Sequence, residues 1–200
     1  PVQIINSTQA KYIYVYSNVD YLQKIYTNKS NDDLKKIWNN NFFSLFRFSE
    51  FLKKSFNKLP STNYNVFHTR FTSLMGDFKD SSIKIISEIE KKELIHDLIE
   101  EINLITKNNA NKKFYVLSDS IIFLDYVKKN TNLNVLEGKP KHLDFNKGEE
   151  NIDAHTKTIT DFLFIAGADE IFLLKKGRMY NSSFSRYAAI VGNKKFHVIN

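Results

Sequence analysis

Apolar residues near the start of the chain recur at steps of three and four. From Asp32 to Lys58 this spacing predicts one or two amphipathic helices, which end before Pro60. A run of aromatic and β-branched residues at Tyr12–Tyr16 predicts a strand. We therefore expect residues 1–60 to form a helical lead-in that includes one strand.

Beyond Pro60, short apolar runs alternate with longer helical patterns. The runs predict strands at Tyr64–Phe71, Phe114–Leu117, Leu133–Leu136, Glu170–Leu174 and Lys195–Ile199. The helical patterns lie at Ile83–Thr106, Ile121–Lys129, Thr156–Ile165 and Ser183–Val191. Strands separated by helices favour a parallel sheet covered on both faces. The expected fold is α/β, a doubly wound Rossmann-like parallel sheet over residues 61–200, with its longest loop from Glu137 to Ala154.

Composition excludes several classes of protein. The chain has 200 residues, enough for one domain or for one domain and part of a second. With no cysteine, disulfide scaffolds and cysteine-ligated metal sites are excluded. The hydrophobic fraction of 42% excludes a disordered chain. No apolar run approaches the roughly 18–20 residues of a membrane span, and no signal-peptide pattern is present. We expect a cytoplasmic protein with no transmembrane segment.

The net charge of +7 is supplied almost entirely by lysine, since only four of the 29 basic residues are arginines. Arginine is the preferred side chain for bidentate contacts to phosphate and guanine, so its scarcity argues against a nucleic-acid partner. A lysine-rich solvated surface explains the charge better. The four arginines are individual candidates for anion binding: Arg47, Arg70, Arg178 and Arg186.

Polar residues follow three of the predicted strands. His68-Thr69-Arg70 follows the first, Ser118-Asp119 follows the second, and Asn181–Ser185 lies beyond the fourth. Ligands of open parallel sheets bind beyond the carboxyl ends of the strands, so these groups are expected to form one site.

Two interpretations of these residues stay open. Ser118-Asp119 and the serines at 182 and 183 are typical helix caps, His68 is typical of a buried structural histidine, and Arg70 of a surface side chain. The alternative is an anion site, because a helix N-terminus and an arginine at a strand end both favour phosphate. The glycine-rich dinucleotide and P-loop motifs are absent, and no spacing of His, Asp and Glu fits a metal motif. The residues alone predict a doubly wound domain that binds a phosphorylated ligand without a metal.

Three motifs in order resemble a known family. They are His68-Thr69-Arg70 with the later Gly76-Asp77, then Ser118-Asp119, and finally Asp161–Asp169 followed by Ser182-Ser183-Phe184. Over residues 40–200 the chain resembles the nucleotide-sugar-binding C-terminal half of GT-B fucosyltransferases, in particular the protein O-fucosyltransferases and the bacterial α-1,2- and α-1,6-fucosyltransferases. Gly76-Asp77 does not directly follow the arginine, however, and Phe71 stands where the α-1,2 enzymes have a second arginine.

The resemblance implies an enzyme, a glycosyltransferase that moves fucose from GDP-fucose to a glycan or protein hydroxyl. The mechanism would be inverting, with neither a metal nor another cofactor. Arg70 would be catalytic, because it would clasp the diphosphate and assist the departure of GDP. A missing N-terminal domain would be expected, with residues 1–60 as the interdomain lead-in.

The resemblance also assigns the other donor-binding residues. His68 would shape the nucleotide pocket, and Asp119 and Asp161 would lie near the guanine and ribose. Ser182, Ser183 and Phe184 would hold the β-phosphate and the nearby sugar. Two alternatives remain: a GT-B-like transferase with another nucleotide-sugar donor, and a non-catalytic nucleotide-binding or scaffold module of a larger assembly.

Overall fold

The computed structural model describes residues 7, 9, 22–57, 59–60, 63–78, 84–136, 138 and 152–200, with side chains from residue 155 onward in the last range. The chain divides into two compact units, Pro1–Leu45 and Phe46–Asn200. The predicted strand Tyr12–Tyr16 and most of the predicted loop after Leu136 lie outside the described residues. Among the helices that are described, none combines the length and the apolar character needed to cross a bilayer.

The first unit contains two described helices, α1 (Leu22–Ile25) and α2 (Asn31–Leu45). Ser30 stabilises the start of α2, because its hydroxyl accepts a hydrogen bond from the Asp33 N–H at 3.1 Å. Leu34 is buried. The helical spacing in this segment therefore predicted α2 correctly.

The second unit is a doubly wound α/β domain. Its elements are α3 (Glu50–Phe56), β1 (Tyr64–Thr69), α4 (Glu88–Lys107), β2 (Lys113–Ser118), α5 (Ile121–Asn130), β3 (Asn134–Val135), α6 (Ile152–Gly167), β4 (Glu170–Leu174), α7 (Ser183–Gly192) and β5 (Lys195–Ile199). The described strands form one sheet in the order β3-β2-β1-β4-β5, and every pairing is parallel. The predicted fold class is confirmed.

Both faces of the sheet are covered by helices. On one face, the Phe67 ring lies 5.0 Å from that of Phe114 and 5.4 Å from that of Phe172. These rings pack with buried apolar residues of α4 and α5. On the other face, Tyr64 stacks on Phe164 of α6 with ring centroids 4.3 Å apart, and its hydroxyl donates to the Phe164 carbonyl. Strands buried on both faces explain the nearly continuous apolar runs of the sequence.

Several element bounds differ from the prediction. α4 begins at Glu88 rather than at Ile83, because Ser87 and Glu90 form a capping box that fixes the first turn. The third strand is reduced to Asn134–Val135. α3, which lies in the predicted lead-in, packs against α6 within the second unit.

α6 and α7 approach each other closely at Gly192. A Cβ atom at this position would lie 1.9 Å from the backbone carbonyl oxygen of Ala166. Only glycine allows that approach, and Asn193 then ends α7 in the left-handed conformation, with φ 51°. The contact holds α7 against α6 and thereby fixes the direction of α7 and the position of its N-terminus.

Candidate functional site

The carboxyl ends of three strands lie side by side. In the register of the sheet, Thr69 at the end of β1 is opposite Ser118 of β2 and opposite Leu174 of β4. The chain winds outward in opposite directions from β1 and β4, so the junction between these two strands is the topological switch point. Ligands of open α/β sheets bind beyond this point. The polar segments that follow β1, β2 and β4 are therefore brought to one edge, as predicted.

Arg70 is the first residue after β1, and its side chain is 23% exposed. Its Nε atom lies 3.4 Å from Oδ2 of Asp119, and its guanidinium carbon lies 4.7 Å from the centroid of the Phe78 ring. An ion pair on one edge and an aromatic ring on one face hold a guanidinium in a defined orientation. The other arginines are all exposed: Arg47, Arg178 and Arg186.

Asp119 follows β2 and is 5% exposed. Its Oδ1 accepts the Phe71 N–H at 2.8 Å, and its Oδ2 accepts the Thr72 N–H at 2.7 Å. Burial raises the pKa of Asp119 to about 6, although Arg70 and the two N–H bonds favour the charged form. Thr72 has a φ of 56°, unusual for a β-branched residue, and its bond to Asp119 helps to hold that conformation. The described contacts of Asp119 are thus with the loop after β1.

A second carboxylate connects the same loop to α5. Oδ2 of Asp77 accepts the Ser120 hydroxyl at 2.9 Å and the Ile122 N–H at 2.7 Å. Ser120 is the N-cap of α5, because its Oγ accepts the Phe123 N–H at 3.2 Å. The helix cap suggested for Ser118-Asp119 is therefore formed by Ser120 together with Asp77. Asp119 ties β2 to the start of the loop, and Asp77 ties a later point of the loop to α5.

His68 is the second-last residue of β1 and is 6% exposed. Its Nδ1 atom is buried and has no hydrogen-bond partner within the part of the chain that the structure describes. Burial, and secondarily the charge of Arg70, lowers the pKa of His68 to about 3, so the imidazole is neutral near pH 7. Its ring centroid lies 5.7 Å from that of Phe184. A neutral polar ring thus contacts the start of α7 and is close enough to Arg70 for its pKa to be affected by that charge.

The N-terminus of α7 is at the same edge. Ser182 is the N-cap and is buried, with its Oγ accepting the Phe184 N–H at 3.2 Å. Ser183, the first helical residue, is exposed. The loop before the helix is attached to β1, because the Tyr180 N–H donates to the Arg70 carbonyl oxygen at 3.1 Å. The positive end of a helix dipole therefore lies beside the strand that carries Arg70.

Asp161 lies on α6 and forms an ion pair with Lys157, one turn earlier on the helix. Both side chains are mostly buried, 13% and 15% exposed. Burial raises the pKa of Asp161, against the opposing effect of the Lys157 charge. Asp161 is connected to the site through its neighbour Phe162, whose ring packs edge-on against Phe184 at 5.3 Å. Lys157 was not among the predicted site residues, although the spacing of a lysine four residues before Asp161 could have indicated the pair.

The described residues contain one group with the geometry of a cation site, on α4. Ligand atoms of His96, Asp97 and Glu100 lie within 4.8 Å of one another, and all three residues are exposed. None of them belongs to the site at the strand edge. Exposed acidic clusters of this kind are common without a metal.

No protein-family model matches the chain, and a search of curated proteins finds no match. Support for a function therefore comes from the residues of the site and from the resemblance of its motifs.

Proposed function

We propose that this chain is the donor-binding domain of a glycosyltransferase that transfers fucose from GDP-fucose to a glycan or protein hydroxyl. The observation that carries this proposal is the convergence at one strand edge of Arg70, the neutral His68 and the N-terminus of α7. A guanidinium and a helix N-terminus both favour a diphosphate, and this edge is where α/β sheets bind nucleotides.

The diphosphate would lie between Arg70 and the start of α7. The guanidinium of Arg70 matches two phosphate oxygens, and the backbone N–H groups at the start of α7 with the Ser183 hydroxyl supply further donors. Charge-assisted hydrogen bonds of this kind contribute about 1.5–3 kcal/mol each. His68 carries no charge near pH 7, so it suits a sugar hydroxyl or a bridging oxygen better than a second negative charge.

The proposed chemistry needs no metal. The acceptor oxygen attacks the anomeric carbon of fucose while the bond from that carbon to the β-phosphate oxygen breaks, with inversion of configuration. GDP departs with the electron pair of the broken bond, and the proton of the acceptor hydroxyl passes to water or to an oxygen of the departing β-phosphate. Arg70 and the helix N-terminus stabilise the charge that develops on the β-phosphate, which is the role that a divalent cation has in metal-dependent transferases.

The choice of GDP-fucose among nucleotide sugars rests on the three motifs that resemble fucosyltransferases. Both oxygens of Asp119 already accept hydrogen bonds from the loop after β1. We therefore assign the contact with guanine or ribose to Asp161, whose ion pair with Lys157 is made through Oδ1, rather than to Asp119. Phe184, which contacts both His68 and Phe162, would pack against the sugar.

Thermal unfolding in the presence of nucleotides tests this function. A ligand present at about one hundred times its Kd stabilises the folded state by about 2.7 kcal/mol, which raises the Tm of a protein of this size by several degrees. We expect GDP and GDP-fucose to raise the Tm more than UDP or ADP at equal concentration. The Arg70→Ala variant should lose most of this increase, and the exposed Arg178→Ala control should keep it.

Other results of the thermal-unfolding experiment would support a different function. Equal protection by UDP or ADP would point to another nucleotide-sugar donor. Protection by GDP without fucose transfer in the intact protein would point to a non-catalytic module. If no nucleotide raises the Tm, the proposed function is wrong.

A further inference from the structure

Arg70 is held on two sides by groups of the protein. Asp119 contacts its Nε atom at 3.4 Å, and the ring of Phe78 lies against its guanidinium carbon at 4.7 Å. Asp119 contacts the guanidinium at Nε, and a guanidinium matches a pair of phosphate oxygens through its planar fork of N–H donors. The orientation of that fork depends on where the Asp119 carboxylate lies.

The carboxylate of Asp119 is itself fixed by the backbone. Its two oxygens accept the N–H groups of the two residues that follow Arg70, at 2.8 Å and 2.7 Å. The side chain of Asp119 is only 3% exposed. A side chain this buried, with both oxygens engaged, is suited to contact Arg70 and the loop rather than a bound nucleotide.

We propose that Asp119 is a positioning residue, which holds the Arg70 guanidinium in the orientation that binds the diphosphate, without contacting the ligand. The identity of the ligand rests on the proposed function, whereas the control of Arg70 by Asp119 is independent of it. The carboxylate acts through Arg70, so its effect on binding disappears when Arg70 is removed.

Asp77 provides a matched control. It anchors a later point of the same loop through Ser120 and Ile122, and its two described hydrogen bonds are both to the α5 region. A substitution at Asp77 therefore loosens the loop but removes no group that is seen to contact the Arg70 guanidinium or the Asp119 carboxylate. If Asp119 only anchored the loop, Asp77→Asn and Asp119→Asn would have similar effects on ligand binding.

The first experiment follows Arg70 in the ligand-free full chain by carbon-detected NMR of its Nε and Cζ atoms at pH 8. At this pH the Asp119 carboxyl is ionised, because its pKa of about 6 is well below 8. We expect the Arg70 signal to differ from those of the exposed Arg47 and Arg186. Asp119→Asn should move the Arg70 signal toward those of the exposed arginines, and Asp77→Asn, which keeps the ion pair between Asp119 and Arg70, should move it much less. An Arg70 signal that Asp119→Asn does not move overturns the inference, whatever the ligand does.

The second experiment measures the affinity of the full chain for GDP-fucose by calorimetry at the same pH. Asp119→Asn should weaken binding about ten-fold, the equivalent of one charge-assisted hydrogen bond, and Asp77→Asn should change it little. In the Arg70→Ala background, Asp119→Asn should cause no further loss. A loss that persists in that background, or an equal loss in Asp77→Asn, overturns the inference.

Arg70→Lys provides a second variant in case Asp119→Asn does not fold. It keeps the positive charge and leaves Asp119 with its bonds to the loop, but it removes Nε. If Asp119 positions Arg70 through Nε, the Arg70→Lys variant should lose nearly as much affinity for GDP-fucose as Arg70→Ala. An Arg70→Lys variant that binds GDP-fucose nearly as tightly as wild type overturns the inference. If wild-type protein binds no GDP-fucose while Asp119→Asn still moves the Arg70 signal, the proposed function fails and the control of Arg70 by Asp119 stands.

Discussion

At the scale of single residues, two buried ionisable groups at the strand edge respond to pH in opposite directions. The pKa of His68 is lowered to about 3, so His68 binds a proton more weakly in the folded protein than in the unfolded chain. The pKa of Asp119 is raised to about 6, so the folded protein binds a proton there more tightly than the unfolded chain. Linkage then gives the two groups opposite contributions to the pH dependence of stability.

We predict that the stability contributed by neutral His68 is fully present above pH 6.5 and is lost as the pH falls toward 3. Below pH 6.5 the unfolded chain gains a proton at His68 that the folded protein excludes. The contribution falls by at most about 1.4 kcal/mol for each pH unit. Urea unfolding of wild-type protein and His68→Gln between pH 7 and pH 4 measures it. A constant difference in the free energy of unfolding would contradict this prediction.

For Asp119 we predict the reverse dependence. Its contribution to stability is greatest below the unfolded pKa of about 3.8 and declines as the pH rises through about 6. The free energy of unfolding of wild-type protein, minus that of Asp119→Asn, should therefore fall between pH 4 and pH 6.5 and remain level above it. A difference that rises over this range would mean that Arg70 and the two N–H bonds outweigh the penalty of burying the charge.

The sequence indicated which residues lie at the carboxyl edge of the sheet better than it indicated their hydrogen-bond partners. Arg70 stood out because arginine is scarce and because it follows a predicted strand. The bond from the Phe71 N–H to Asp119 joins residues 48 positions apart, so no local pattern could indicate it. The same holds for Asp77, whose partners Ser120 and Ile122 follow a different strand. Such contacts depend on the register of β1 and β2, which the sequence pattern did not determine.

At the scale of elements, the packing of α6 against α7 controls where the N-terminus of α7 lies.

The bounds of β4 and β5 were predicted correctly, because each strand is a short apolar run that follows a helix. The start of α4 was wrong, because apolar residues such as Ile86 continue the helical spacing before Ser87. Ile86 is buried in the core without being helical. The spacing of apolar residues indicates which side chains are buried, whereas the N-terminal cap determines where the helix begins.

We predict that Gly192→Ala destabilises the protein by about 2 kcal/mol or more. Helix propensity alone would favour alanine by about 1 kcal/mol, but the new Cβ would collide with the Ala166 carbonyl oxygen. Gly177→Ala is the control, since nothing lies within 4 Å of a Cβ there and only its φ of +50° is unfavourable. Urea unfolding compares the two variants, and a Gly192→Ala variant as stable as wild-type protein would contradict the packing described for α6 and α7.

At the scale of the whole molecule, the second unit contains the described sheet, the hydrophobic cluster packed on it and every described residue of the candidate site. The fold class followed from the alternation of apolar runs and helical patterns, which is a property of the whole chain. The net charge of +7 indicated little about function, because lysines supply most of it. Position in the sheet distinguishes Arg70 from the three exposed arginines more clearly than composition does.

We predict that residues 46–200 fold without the first unit. This segment has its own buried core and its own sheet, as an independently folding domain requires. Circular dichroism and urea unfolding should show a cooperative transition, and the fragment should bind GDP-fucose as the full chain does. A fragment that shows no cooperative unfolding would mean that the core depends on residues 1–45.

Calorimetric titration of the full chain with GDP-fucose at pH 7.5 tests the central claim most directly. We expect wild-type protein and the exposed Arg186→Ala control to bind with the same Kd. Arg70→Ala should raise the Kd about ten- to hundred-fold, the equivalent of about 1.5–3 kcal/mol for a charge-assisted contact to phosphate. Absence of binding by the wild-type protein, or an Arg70→Ala variant that binds as tightly as wild type, would contradict a donor site built around Arg70.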